Sequence, residues 1–254
     1  MNDLILDIAG SGKVAHHLAK RFVDQGVRVR HIISRRPEEL QFFASSIDAT
    51  SIGYDEIPGD DLPLIIAVSD DAISSVGQSI PRERKVAHTS GTAALDQLSH
   101  ENSGVFYPLQ SFSDSREPTW DDIPLCIEAN NIEWEQELIE LAEYLSSNVQ
   151  RIDSDQRKHL HVAAVVVNNF TNHLFHQAEQ YLEDHDLTLD LLRPLIQETI
   201  AKTGEMSAFE AQTGPALRND EKTLDSHLIL LEEYPELKDI YALISNSIIK
   251  SYER

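Results

Sequence analysis

Three groups of side chains in this sequence carry a chemical suggestion in their types and spacing. The first is Gly10-Ser11-Gly12-Lys13-Val14-Ala15, reached by the apolar run Leu4 to Ala9 and followed by Leu18, Phe22 and Val23 at helical spacing. A strand that ends in Gly-x-Gly-x-x-Ala and opens a helix is built to receive a dinucleotide pyrophosphate. Gly10 permits the tight turn, Gly12 lets backbone approach the phosphates, and Ala15 stands for a third glycine where helix and strand pack closely. The free amides and positive end of the helix that begins near Ser11 then face the anion. Lys13 does not make this a P-loop, because Gly-x-x-x-x-Gly-Lys-Ser/Thr spacing is absent and Val14 follows the lysine.

The second group closes the next strand, Val27 to Ile33, which gives way to Ser34-Arg35-Arg36. NAD-binding domains place an acidic residue near this point to hold the ribose hydroxyls. A hydroxyl and two guanidinium groups suit a 2'-phosphate instead, so the expected cofactor is NADP or NADPH. In a doubly wound sheet the ligand lies at the carboxyl ends of the strands. The loops Val68-Ser69-Asp70 and His88-Thr89-Ser90-Gly91 are therefore expected to border the ribose and nicotinamide, and Tyr107-Pro-Leu-Gln110 to continue the same wall.

The third group sits on an otherwise core-like helix, Leu160 to His173. At 100 degrees per residue His161, Asn168 and Asn172 fall within about 40 degrees of one another, a polar stripe on an apolar helix. Reduction of a carbonyl or imine leaves an atom that needs a proton, and a histidine with an ordinary pKa near 6.5 can supply one at neutral pH. His161 is the expected donor, with Asn168 holding the substrate oxygen or orienting the imidazole. Lys158, one turn earlier, and His88, at a strand end, are the alternatives, besides a bound water. The structural reading of the same residues is a histidine and amides satisfied by backbone or by neighbouring helices. Arg218 and Asp220, after the turn Thr213-Gly-Pro, offer an anion fork or simply a capped loop.

These groups need elements to carry them. Short apolar runs at Ile47 to Ile52, Leu62 to Val68, Lys85 to His88, Gly104 to Tyr107 and Pro124 to Glu128 alternate with helical text, ending in an amphipathic helix from Glu133 to Ser147. That order predicts an α/β domain with a mostly parallel, doubly wound sheet. Asp70 is suited to cap the helix after the fourth strand. After Asp153 strand patterns stop, and Ser154 or Asp155 is expected to cap a long helix to about Glu183, followed by helices near Leu189 to Thr203, Lys222 to Glu233 and Glu236 to Tyr252. The change of texture predicts a dinucleotide-binding domain over 1–150 and an all-helical domain over 151–254; the helix from Asp155 to Glu183 carries apolar residues over more of its circumference than one neighbouring face can cover, so a homodimer through the helical domain is expected.

A net charge of -22 repels phosphate backbones and anionic membrane surfaces, so neither nucleic acid nor membrane is an expected partner. The longest later apolar run, Val162 to Val167, falls far short of the roughly 18 residues a bilayer span needs. The N-terminus lacks a signal-peptide pattern, and the single cysteine, Cys126, suits a reducing compartment; a cytoplasmic location is expected. No metal-ligand spacing is read.

The strings GSGKVAHHLA, IIAVSDDAI, VAHTSGT, VFYPLQSFS, LHVAAVVVNNFTNHL and AQTGPALRNDEKTLDSHL resemble the Rossmann-like proteins that carry a C-terminal helical domain of unknown function and are labelled NADP oxidoreductases. The likeness covers essentially the whole chain. More distantly the sequence is similar to pyrroline-5-carboxylate reductase, ketopantoate reductase, the deazaflavin-dependent NADP oxidoreductases and the 6-phosphogluconate dehydrogenase superfamily. The resemblance implies a dinucleotide domain, a helical domain that forms a homodimer, and a cleft between them. The β-hydroxyacid dehydrogenases pair a helical lysine with an asparagine four residues on; here Lys158 is followed at that spacing by Val162. The expected function is hydride transfer between a nicotinamide and a small carbonyl or imine compound. The alternative is a nucleotide-binding sensor or scaffold that performs no hydride transfer.

Overall fold

The computed structural model describes residues 4–253. By their internal contacts these fall into two compact units, Met1–Asn168 and Asn169–Arg254.

The first unit is built on one eight-stranded sheet. Its strands are β1 (Ile5–Ala9), β2 (Arg28–Ile33), β3 (Thr50–Ile52), β4 (Leu64–Ile66), β5 (Lys85–His88), β6 (Asn102–Pro108), β7 (Leu125–Ala129) and β8 (Val149–Arg151). They lie in the order β3-β2-β1-β4-β5-β6-β7-β8. Every neighbouring pair is parallel except β6 and β7, which run antiparallel. Helices α1 (Lys13–Asp24), α2 (Pro37–Ser46), α3 (Asp70–Gly77) and α4 (Ile132–Glu143) connect them. Chain order and sheet order part company between β1 and β4, which is the topological switch point where such sheets bind ligands.

Parallel strands are covered on both faces, and the side chains divide accordingly. Leu6, Ile8, Ile65 and Ala87 pack with Leu18, Phe22, Phe106 and Trp134. Ala9, Leu64, Ile66 and Val86 face the other way, toward Ile73 and Val76. Asn131 caps α4 by accepting the Trp134 amide at 2.9 Å. β8 was not expected. Its three residues, Val149-Gln-Arg, are too short and polar to show a strand pattern, and it pairs only at the sheet edge.

One charge lies deep in this sheet. Asp7, fully buried in β1, accepts from Arg30 Nη2 at 2.6 Å, from the His31 amide at 3.0 Å and from the fully buried Arg84. Burial alone would raise its carboxyl, but the hydrogen bonds from Arg30 and Arg84 outweigh that and hold it below the ordinary aspartate range.

Helix α5 (Ser154–Ala164) runs without interruption into a six-residue π-helical stretch, Val165–Phe170, and then into α6 (Thr171–Glu183). The expected caps Ser154 and Asp155 are displaced by Asp153, which accepts from the Gln156 amide at 2.8 Å while the Gln156 side chain returns a contact to the Asp153 amide. That reciprocal box satisfies two amides at once, which a single hydroxyl cap does not.

The second unit contains α6, α7 (Arg193–Glu205), the short α8 (Ala208–Ala211), α9 (Glu221–Leu230) and α10 (Pro235–Tyr252). Its buried apolar residues are Ala216, Leu224 and Leu231. No described helix is long and apolar enough to cross a membrane.

Candidate functional site

The fingerprint glycines work by close approach. Gly10 has φ +146, and a Cβ there would lie 2.1 Å from the carbonyl oxygen of Ala67 at the end of β4, so only glycine fits between the two strand ends. The same Cβ would come within 3.2 Å of the Ala15 side chain, which shows why a small residue stands there. Gly12 caps α1, and a Cβ on it would meet nothing within 4 Å. The space in front of the first helical amides is therefore open.

That space is part of a cavity of about 790 Å³, the size of sites that enclose ligands of cofactor dimensions. Gly10 through Val14 form one wall. Ser34, Arg35 and Arg36 reach it from the end of β2, and Val68, Ser69 and Thr89 from the ends of β4 and β5. Ser34 lines the cavity, is only 4% exposed, and its buried hydroxyl has no hydrogen-bond partner among the described residues. Arg36 pairs with Glu39 at 2.5 Å, whereas Arg35 makes no ion pair among the described residues. The orphaned hydroxyl, the open helix end and the Arg35 guanidinium together fit a phosphorylated dinucleotide.

Asp70, Ser90 and Gly91 do not line this cavity. Asp70 is the first residue of α3 and makes no cap; its carboxylate accepts from the Thr92 hydroxyl instead. The Ser90 hydroxyl accepts the amides of Thr92 at 3.1 Å and Ala93 at 2.9 Å, closing the turn after β5. His88 braces the same turn: its Nδ1 accepts from the Ser90 amide at 3.2 Å and its Nε2 faces the Ala94 carbonyl at 3.3 Å. Burial pushes its imidazole down to about 4, with the nearby Arg157 adding to the fall. A neutral, doubly bonded, fully buried ring has no proton to give at neutral pH.

Beneath this turn lies Arg157, fully buried on α5. It pairs with Glu128 on β7 and donates to the Ala93 carbonyl, while the Ser154 hydroxyl donates to Glu128 at 2.9 Å. Above it stands His161, one turn on. Its Nδ1 is 3.1 Å from the Tyr107 hydroxyl at the end of β6, and both rings lie against Gly91. Burial, with Cys126 adding and Arg157 opposing, pushes the Tyr107 hydroxyl up to about 12.

The structure thus joins His161 to Tyr107 and the Gly91 turn. Lys158 is turned elsewhere, its ammonium 3.4 Å from Asp155. Asn168 is exposed and makes no side-chain hydrogen bond among the described residues. The spacing that aligned it with His161 assumed a uniform 100 degrees per residue. The π-helical stretch turns by less at each residue, so the stripe does not run straight through Val165–Phe170.

The whole chain has relatives among known proteins. It is 34% identical to a protein of Bacteroides fragilis provisionally described as an NADP oxidoreductase, with a TM-score of 0.89 over 98% of both chains. The chain belongs to that family. A protein of Thermotoga maritima is 19% identical, with a TM-score of 0.75 over 98% of this chain and 100% of that one. A reductive aminase of Aspergillus terreus, solved with NADPH and ethyl levulinate, is 12% identical at a TM-score of 0.71 over 98% of this chain and 95% of that one; at that identity the likeness is one of fold. Residues 123–248 match the model of a domain of unknown function, DUF2520. No curated protein matches the chain.

Two features of this family member escaped the sequence. The segment between β6 and β7 straps across α1, with Lys13 3.2 Å from Asp114, Lys20 on Glu117, Arg21 3.1 Å from Asp121, and His17 Nε2 donating to the Ser113 carbonyl at 2.9 Å. Gln110 and Phe112 of the strap also line the cavity. The signal was present, since Lys13, His17, Lys20 and Arg21 share a helix face and the strap is acidic, but nothing local tied the two segments together. The Arg157–Glu128 pair was the other omission. In the second unit, Asp220 caps α9 by accepting the Thr223 amide at 3.2 Å, and Arg218 is exposed.

Proposed function

We propose that this protein is an NADP-dependent oxidoreductase acting on a small carbonyl or imine compound. The observation that carries the reading is the cavity at the switch point, which is lined together by Gly10 to Val14 at the start of α1 and by Ser34 and Arg35 at the end of β2. In it the amides of Ser11 to Val14 and the Lys13 ammonium hold the pyrophosphate, with Lys13 exchanging Asp114 for a phosphate. Ser34 and Arg35 hold the 2'-phosphate, and Val68, Ser69 and Thr89 border the ribose and nicotinamide. The reduced nicotinamide supplies a hydride when bound. His161 delivers the proton to the substrate oxygen or nitrogen, while Lys158 and Asn168 take no direct part. Residues 1–150 serve the dinucleotide and 151–254 the substrate and assembly.

The same reading has two copies joined through the helical domain. It is supported by the apolar side chains that domain leaves in solvent, among them Ile200 at 65% and Leu243 at 72% exposure. Light scattering at micromolar protein should give a mass near twice that of one chain; a mass near 28.6 kDa would remove the assembly claim.

Calorimetric titration tests the cofactor. NADPH should bind at least ten-fold more tightly than NADH, and Arg35→Ala should abolish most of that preference, the loss of one charge-assisted contact being worth about 1.5–3 kcal/mol. Equal affinity for the two cofactors, or an Arg35→Ala protein with unchanged preference, would sink the NADP reading.

A further inference from the structure

Gly91 has no backbone reason to be glycine, because it is not among the residues with positive φ. What it provides is room. A Cβ at this position would stand 2.5 Å from His161 Nδ1, 3.0 Å from the same ring's Cγ and 2.8 Å from Tyr107 Cζ. The turn that carries Gly91 is independently fixed by His88, Ser90 and the Arg157–Glu128 pair, so it cannot simply move aside. Two rings from elements 54 residues apart are thereby seated on one bare stretch of backbone.

We infer that Tyr107 is a positioning residue for His161: its hydroxyl engages Nδ1, Gly91 makes the space for that contact, and Nε2 is left as the hydrogen-bearing nitrogen presented to a ligand. The inference rests on the oxidoreductase reading and assigns the atom from which its proton comes. A tyrosine hydroxyl both donates and accepts. It donates to Nδ1 when the imidazole is neutral and accepts from Nδ1–H when the ring is charged, so Nε2 carries hydrogen in both states. The Tyr107 proton is retained near neutral pH because burial disfavours the phenolate. His161 Nε2 makes no hydrogen bond among the described residues, which leaves it available.

His161 enters as imidazolium with Nδ1–H donating to Tyr107 Oη. A bound reduced nicotinamide would supply the hydride, with its electron pair, that the substrate carbon gains. The Nε2–H bond breaks, its proton joins the substrate oxygen or nitrogen, and its electrons remain on the ring. His161 is left transiently as the Nδ1–H tautomer, regains a proton at Nε2 from solvent, and returns to the resting neutral Nε2–H form when Nδ1 loses its proton. The ligand this nitrogen recognises is a hydrogen-bond acceptor, a carbonyl oxygen or an imine nitrogen.

Ring-nitrogen NMR of the full chain, labelled at histidine and held at a pH where His161 is neutral, tests the assignment without a substrate. The wild type should show one tautomer, with hydrogen on Nε2 and Nδ1 as acceptor, and a Tyr107 hydroxyl proton slow to exchange with water. Tyr107→Phe should lose the single tautomer and show a measurable Nδ1–H population, and Gly91→Ala should do the same by parting the rings. A wild-type ring that is already mixed or carries hydrogen on Nδ1 overturns the inference even if neither variant folds. So does an unchanged tautomer in Tyr107→Phe. Titration of the wild type with NADPH is a separate readout: failure there would sink the oxidoreductase reading and leave the tautomer result standing.

Discussion

The two units of the chain treat their apolar side chains differently. In the sheet unit Leu6, Ile8, Ile65 and Phe106 are sealed from water on both faces, and even a carboxylate, Asp7, is enclosed with two arginines. In the helical unit Ile200, Ile229 and Leu243 are largely exposed, and the buried apolar side chains among the described residues reduce to Ala216, Leu224 and Leu231. A parallel sheet has two faces and must cover both within its own chain to exist at all. A helix satisfies its backbone internally, so a helical unit can keep its secondary structure with apolar stripes uncovered. The first arrangement yields a rigid frame for a fixed ligand. The second leaves surface for association.

The strongest challenge to this contrast is Asp7→Ala. It leaves the fully buried Arg84 with only the partly exposed Asp60, 3.7 Å away, as a carboxylate partner, and removing one member of a buried pair costs about 3–5 kcal/mol. Both tryptophans, Trp120 and Trp134, lie in the sheet unit, so urea unfolding followed by tryptophan fluorescence reads this unit alone. A midpoint within error of wild type would mean that Arg84 reaches water and that the interior is less closed than described.

An intermediate effect comes from pH. His88 has its folded-state pKa lowered to about 4 from an ordinary 6.5, so between those values the unfolded chain binds the proton and the folded one does not. Its neutral form is accommodated fully above about pH 6.5, and stability falls as pH drops toward 4. From pH 7.5 to pH 5 this one group should remove about 2 kcal/mol from the fluorescence-detected unfolding free energy. The difference should be smaller in His88→Gln. Equal slopes in the two proteins would show that His88 is not the group responsible.

The smallest effect sharpens the contrast from the other side. Leu243→Ala, at a largely exposed position, should change the unfolding free energy of the isolated chain at high dilution by less than about 0.5 kcal/mol, read by far-ultraviolet circular dichroism. A loss of 2 kcal/mol or more, of the size expected for a core leucine, would place that side chain in an interior and dissolve the distinction.

Much of the frame was legible because its signals are local. Unalternating apolar runs mark strands covered on both faces, and Gly10, Gly12 and Ala15 encode their turn by size alone; Ser34, Arg35, Val68 and Thr89 line one cavity with the fingerprint. Where a reading depended on a constant rotation per residue it weakened, as at Asn168 beyond the π-helical stretch, because three consecutive valines and two asparagines give no warning of a wider turn. Asp70, Ser90 and Gly91 were assigned to the cofactor wall by position; the structure instead uses them to fasten the turn and to seat two rings.

The element order, the parallel sheet with its switch point, and the residue types at the first two strand ends are written locally, since each follows from residues within one turn or one strand of each other. Folding in three dimensions is what brings His161 to Tyr107 over Gly91, Arg157 to Glu128, and an acidic strap onto the basic face of α1. Those contacts join residues far apart in the chain. Their distances are set by how β5, β6 and β7 lie side by side and where α5 leaves the sheet, and no periodicity within a single element encodes that.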